Sequence, residues 1–188
     1  MEAAPFSHLG PGLNEVATRQ AKPADVPAIA AIYADAVING TASFETVPPD
    51  EAEMARRMGA LLADGYPYFV AERAGVLLGY GYAGPYRPRA AYRHTVEDSI
   101  YLAPDAQGQG IGGVLLRLLI DTATGIGFRQ MVAVIGDSDH AASIRLHKAA
   151  GFTLGGTLQD VGFKHGRWLD SVLMQRSLGP GSGEPPNR

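Results

Sequence analysis

The chain has 188 residues, 46% of them hydrophobic and 19% charged, with a formal net charge of -3. That is ordinary globular chemistry, long enough for one sizeable core and short for two. There is no cysteine, which excludes a disulfide scaffold, a thiolate metal site and a cysteine nucleophile, and the mild acidity leaves no global basic field for nucleic acid or an anionic membrane.

Residues 1–16 carry Pro5, Gly10, Pro11 and Gly12 without any period and read as a flexible arm. The N-terminal MEAAPFSHLGPGLNE shows neither a basic n-region nor an apolar h-region, so no secretory signal is expected. No apolar run approaches the ~20 residues of a membrane span, and a cytoplasmic protein follows as the default. Asp25 can cap a helix with Pro27 in its first turn. Ile29, Ile32, Tyr33, Ala36 and Val37 then form one apolar stripe, ended at Asn39-Gly40. TASFETVPPD is a loop. Asp50 opens a second helix with Met54, Met58, Leu61 and Leu62 on one face, closed at Asp64-Gly65. YPYFVAE and VLLGYGYAG read as a hairpin turning at Arg73-Ala74-Gly75. After the Pro- and Arg-rich PYRPRAAYRH comes the strand TVEDSIYL, then a glycine-rich run into the helix IGGVLLRLLIDTAT, stopped by Gly125 and Gly127. MVAVIG is a short apolar strand expected to be central and buried on both faces. AASIRLHKAAG is a helix closed by Gly151. FTLGGTLQDVGF and WLDSVLMQRSL form a long hairpin turning at residues 164–167. The tail from Gly179, rich in Gly, Pro and Ser, is expected to be disordered. One domain over 17–178 remains, of the α/β (α+β) class, with a mostly antiparallel sheet and helices packed on it.

The most informative segment is Tyr101 to Leu116. Pro104 blocks the strand, and Gln107-Gly108-Gln109-Gly110-Ile111-Gly112-Gly113 runs into a helix. Glycines let backbone N–H groups approach an anion closely, and the helix N-terminus adds its positive end, so a pyrophosphate is the natural guest. Gly108, Gly110 and Gly113 formally satisfy the dinucleotide fingerprint G-x-G-x-x-G, with Asp137 at the end of the next strand. Topology opposes that reading, because one helix and a β-hairpin follow where a Rossmann domain needs several βα units. No P-loop motif is present.

QGQGIG also fits Q/R-x-x-G-x-G/A, the acetyl-CoA motif of the GNAT superfamily of N-acetyltransferases. YAGPYRPRAAYRHTVEDSIYL, QGQGIGGVLL, VAVIG, SIRLHKAAGF and GFKHGRWLD follow in order. Together they resemble the phosphinothricin N-acetyltransferase family, which also acts on methionine sulfoximine and methionine sulfone. The likeness runs from about Thr18 to about Leu178.

The resemblance implies a GNAT fold with splayed central strands and acetyl-CoA as co-substrate. It places the backbone of Ile100, Tyr101 and Leu102 along the pantetheine arm. Gln107 opens the pyrophosphate turn, and the N–H groups of Gly108, Gln109, Gly110, Ile111, Gly112 and Gly113 bind the diphosphate. The family's coenzyme-contacting Asn after the VAVIG strand is Asp139 here, and a carboxylate cannot donate as an amide does. A homodimer is implied as well.

The implied reaction moves an acetyl group from a thioester to an amine. An α-amino group has a pKa of about 8, so a base must take its proton. Glu97, three residues before Ile100 in TVEDSI, matches the family's Glu and is the candidate base. His147 stands where many GNAT enzymes carry a thiolate acid; it is either that acid or a helix histidine packed on the sheet. Arg87, Arg89 and Arg93 crowd the segment before Glu97, and guanidinium forks suit a substrate carboxylate. Thr95, Lys164 and Phe44 of the SFET loop complete the expected acceptor site. No His/carboxylate spacing suggests a metal. Acetylation of a protein N-terminus or of another metabolite amine, a non-catalytic coenzyme-binding module and, more distantly, a dinucleotide oxidoreductase are the competing readings.

Overall fold

The computed structural model describes residues 16–186. The expected arm, except for Val16, and the last two tail residues lie outside them. Among the described residues the order begins with β1 (Ala17–Gln20), followed by α1 (Val26–Asn39), α2 (Glu51–Ala63), β2 (Tyr68–Arg73), β3 (Val76–Pro85) and β4 (Thr95–Leu102). It continues with α3 (Ile111–Ile126), β5 (Gln130–Gly136), α4 (Ala141–Ala149), β6 (Thr153–Lys164) and β7 (Arg167–Ser177). The seven strands form one sheet in the order β1-β2-β3-β4-β5-β7-β6. Every pair is antiparallel except β4–β5. No described helix is long and apolar enough to cross a membrane.

Alternation along β2 shows how the layers divide. Tyr68 and Val70 pack with α1 and α2 in a cluster holding Ile29, Tyr33, Val37, Met54 and Met58. Ala71 turns the other way, toward Ile111 and Leu115 of α3. A second cluster on that face joins Leu116, Leu119, Ala123, Met131 and Val172. The helices therefore cover opposite faces of the sheet, as their apolar stripes require. α3 comes close enough to β3 that a Cβ at Gly81 would lie 3.1 Å from Leu119 Cδ1.

Four local expectations are corrected. β1 is a strand absent from the sequence reading, paired through Ala17↔Glu72 to Gln20↔Phe69. Gly125 does not stop α3; the helix runs to Ile126 and ends at Gly127, whose φ of 103° is left-handed. β5 is buried along most of its length, but Val134 is 39% exposed. Asp25 precedes α1 without capping it. Its carboxylate instead accepts from the Lys22 N–H at 2.7 Å and from Arg19 at 2.7 and 2.8 Å. Arg19 reaches on to Glu72, so this cluster ties β1 and the start of α1 to β2. Beyond Leu178 the chain turns back, with Gly181 N–H donating to the Leu178 carbonyl and Arg129 donating to that of Pro185.

Candidate active site

β4 and β5 pair only over Thr95–Asp98 and Gln130–Ala133. Past that point β4 stays with β3 through Ser99↔Tyr82 to Leu102↔Gly79, while β5 stays with β7 through Val134↔Leu173 to Gly136↔Ser171. The facing edges diverge. A wedge opens between them, lined on the β4 side by the backbone of residues 99–102. Polar main-chain edges need partners, and the parted edge of β4 has the chemistry to pair with an extended, amide-bearing ligand.

The turn at the mouth of α3 is built for an anion. Gly108 and Gly110 hold φ of 73° and 81°, the left-handed region that glycine enters without penalty. Nothing lies within 4 Å of where a Gly108 Cβ would sit, so a ligand can approach its backbone. Gln109 braces the turn, donating to the Asp105 carbonyl at 2.6 Å while its Oε1 accepts from Arg73 at 3.2 Å. Ile111 is fully buried and fixes the helix start. One expected donor is corrected: the Gly113 N–H already donates to the Gly110 carbonyl at 3.1 Å, which withdraws it from the expected set of residues 108–113. The backbone therefore fits a diphosphate at this turn. Asp139 is exposed, and its N–H donates to Asp137 Oδ1.

Glu97 lies opposite Gly84 of β3 and Val132 of β5, at the last turn of the pleat before the wedge. Burial, with the neighbouring charge of Asp98 adding to it and Arg87 opposing, pushes its carboxyl up to about 7. A group with that value exchanges protons at neutral pH. The same face carries Tyr82, whose environment includes Ser99, Glu97, Arg57 and Glu45, and a cavity lined by Tyr33, Met54, Arg57, Leu61, Tyr68, Tyr80 and Tyr82.

The loop between α1 and α2 closes this face. Tyr33 Oη lies 2.9 Å from Ser43 Oγ and donates to Glu45. Arg57 pairs with Glu45 at 2.6 Å. From the far side, His165 Nε2 donates to the Gly40 carbonyl, and the Phe44 ring fills space that side chains at Gly136 and Gly162 would occupy. Lys164 is corrected in role: it is buried and its ammonium donates to the Ser43 carbonyl at 2.7 Å, which makes it an anchor of the loop instead of a partner for a substrate carboxylate. Arg87 is exposed and stacks over Tyr86 at 5.0 Å. Its charge acts on Glu97. Arg93 is exposed and donates to the Ala90 carbonyl. Thr95 is half-buried at the start of β4.

His147 is buried at 4% exposure. Its Nε2 lies 2.9 Å from Asp98 Oδ2 and its Nδ1 lies 2.8 Å from the Ser143 carbonyl. Both ring nitrogens are engaged, so the packed-histidine alternative describes its geometry and no free nitrogen faces the wedge. Sequence reasoning missed Asp98, Glu45, Arg57, Tyr33 and Tyr82. Arg57 shares the helix face of Met54, Met58 and Leu61, at i+3 from Met54, but nothing in its own segment names its partner Glu45, 12 residues away. Asp98 differs from Glu97 only by facing the other side of the sheet, a signal available from strand alternation alone.

An open sheet whose central strands part beside a glycine turn and a helix N-terminus defines a coenzyme A-dependent acyltransferase fold. Residues 29–152 match the Acetyltransferase (GNAT) family, and the chain belongs to that family. Within it, the chain is 57% identical over 162 residues to a phosphinothricin N-acetyltransferase of Alcaligenes faecalis, covering 86% of this chain and 82% of that protein. It is 45% identical over 168 residues to an L-methionine sulfoximine/L-methionine sulfone acetyltransferase of Pseudomonas paraeruginosa, covering 89% and 97%. A crystal structure of a phosphinothricin acetyltransferase from Sinorhizobium meliloti in complex with AcCoA superposes with a TM-score of 0.90 at 50% identity, covering 93% of this chain and 94% of that one.

Proposed function

We propose that the chain is a cytoplasmic, acetyl-CoA-dependent N-acetyltransferase that acetylates the amino group of a small amino-acid-like substrate of the phosphinothricin, methionine sulfoximine or methionine sulfone type. The observation that carries this is the placement of Glu97, a half-buried carboxyl, on β4 beside the opening of the β4–β5 wedge, where burial raises its pKa. Acetyl-CoA supplies the activated acyl group. The backbone of Ile100, Tyr101 and Leu102 orients its arm, and the N–H groups of residues 108–112 hold its diphosphate. Glu97 takes the proton from the acceptor ammonium, directly or through one water, which frees the nitrogen lone pair. Arg87 and Arg93 orient the acceptor carboxylate, and Phe44 packs on its aliphatic part. His147 positions; it does not donate to the leaving thiolate.

The enzyme works as a homodimer. Leu158, Val161, Phe163 and Trp168 are each more than half exposed on the final hairpin, an apolar strip of the kind that marks a subunit interface.

The test is thiol release from acetyl-CoA over a panel of amines holding phosphinothricin, methionine sulfoximine, methionine sulfone and a peptide with a free N-terminus, for the native protein and Glu97→Gln. Saturable turnover of the amino-acid analogues, reduced by roughly 10²–10⁴-fold in the variant, is expected. Turnover of the peptide alone rejects the acceptor class, and an undiminished Glu97→Gln rejects the base.

A further inference from the structure

Asp98 and His147 form a buried pair that the reaction as described does not use. Asp98 is the last β4 residue paired with β5, opposite Ala133. The next residue, Ser99, begins the wedge. Its carboxylate faces α4, with 1% of the side chain exposed, and Oδ1 has no hydrogen-bond partner among the described residues. We propose that Asp98 is a positioning residue for proton transfer: clamped by His147, it fixes the point where the two strands part and holds a negative charge directly behind Glu97.

Hydrogen-bond chemistry fixes the proton at one end of the pair. The Ser143 carbonyl can only accept, so Nδ1 of His147 carries a proton. Taken in this proposal as a carboxylate, Asp98 can only accept, and the short contact then needs a proton on Nε2 as well. The pair is an imidazolium against a carboxylate, neutral in sum, with its negative end next to Glu97 along β4. Burial works against a charged imidazole, yet the bond and charge of Asp98 and the Ser143 carbonyl outweigh it, and His147 is held above the ordinary histidine range.

The surroundings leave few other charges to set the field. On the helix side, His140 and Asp137 stand on the approach to α4; burial keeps His140 below its ordinary value, and the charges of Asp137 and His147 both act on it. α3 meets this face with Leu116 and Leu119, β3 with Ala83 and β5 with Ala133. On the opposite face Glu97 meets Arg87 from the segment after β3 and Tyr82 from β3, with Arg57 of α2 and Glu45 of the loop beyond Tyr82. A like charge one residue away favours the protonated carboxyl at Glu97, which draws its titration toward the working pH of the reaction.

This inference rests on Glu97 as the base, and the experiment separates the two. The pH dependence of kcat is measured with methionine sulfone at saturation for the native protein, Asp98→Asn and Glu97→Gln. Long-range proton–nitrogen spectra of the ¹⁵N-labelled native protein and Asp98→Asn report the His147 ring. Asp98→Asn is expected to move the acid limb of kcat down by roughly half to one pH unit, and to convert His147 from doubly to singly protonated at neutral pH. If Glu97→Gln keeps the limb, the base assignment falls and this inference with it. If Glu97→Gln removes the limb while Asp98→Asn leaves its midpoint in place, only the role of Asp98 falls. Should Asp98→Asn not fold, the native spectrum decides: two protonated nitrogens above pH 7 support the clamp, and one overturns it.

Discussion

A methyl group at position 162 would stand 2.5 Å from Cε2 and 2.7 Å from Cδ2 of Phe44. Carbon atoms in ordinary contact are about 3.5–4.0 Å apart, so in Gly162→Ala the ring must retreat by about 1 Å. Phe44 is 40% exposed and has solvent to retreat into, which keeps the strain near the low end of the ~1–3 kcal/mol typical of overpacked sites. About 1 kcal/mol taken from the docked loop corresponds to a roughly fivefold loss in acceptor binding and to a fall in Tm of about 2–4 °C for a chain of this size. The assay is thiol release at saturating acetyl-CoA with methionine sulfone varied, run on Gly162→Ala, Phe44→Ala and the double variant. KM for the acceptor should rise roughly fivefold in Gly162→Ala while that for acetyl-CoA stays level. The double variant should match Phe44→Ala, because without the ring the methyl meets nothing. An equal further rise in the Phe44→Ala background, or a lowered Tm with an unchanged acceptor KM, would refute the claim that this contact shapes the acceptor site.

Two other outcomes are expected. Hydrogen bonds from Arg19 outweigh the burial of Asp25 and hold its carboxyl below the ordinary aspartate range; that stability is present above about pH 4 and lost as the pH falls through the depressed value. Arg19→Met should lower stability at neutral pH by roughly 1–2 kcal/mol and flatten its acid dependence, read by thermal denaturation between pH 2 and 7; an unaltered acid slope counts against the network. The native protein should sediment as a dimer and Trp168→Asp as a single chain; a native protein that is already monomeric rejects the apolar strip as its interface.

What the sequence disclosed was local, and what it withheld was spatial. The glycine turn could be read because its function lies in consecutive residues whose side chains are missing. The hairpin at Arg73-Ala74-Gly75 carried its own turn chemistry, with left-handed φ at Ala74 and Gly75. β1 escaped because a four-residue edge strand with three exposed positions shows no alternation and exists only through its register with β2. Asp25 and Lys164 were misjudged for one reason: residue type names a charge, while the partner that consumes it lies elsewhere. The Ser43 carbonyl is 121 residues from Lys164 along the chain. The partner of His147 is 49 residues away, and no helical or strand period connects them.

The β6–β7 hairpin serves two clients with alternate residues. Gly162, Lys164 and Leu169 turn inward, where they seat Phe44, tether Ser43 and enter the core. Phe163 and Trp168, cross-strand neighbours with rings 5.3 Å apart, turn outward. The same two ribbons therefore carry, back to back, the outward ring pair and the seats of the α1–α2 loop, so a rearrangement on one face reaches the other through a shared backbone.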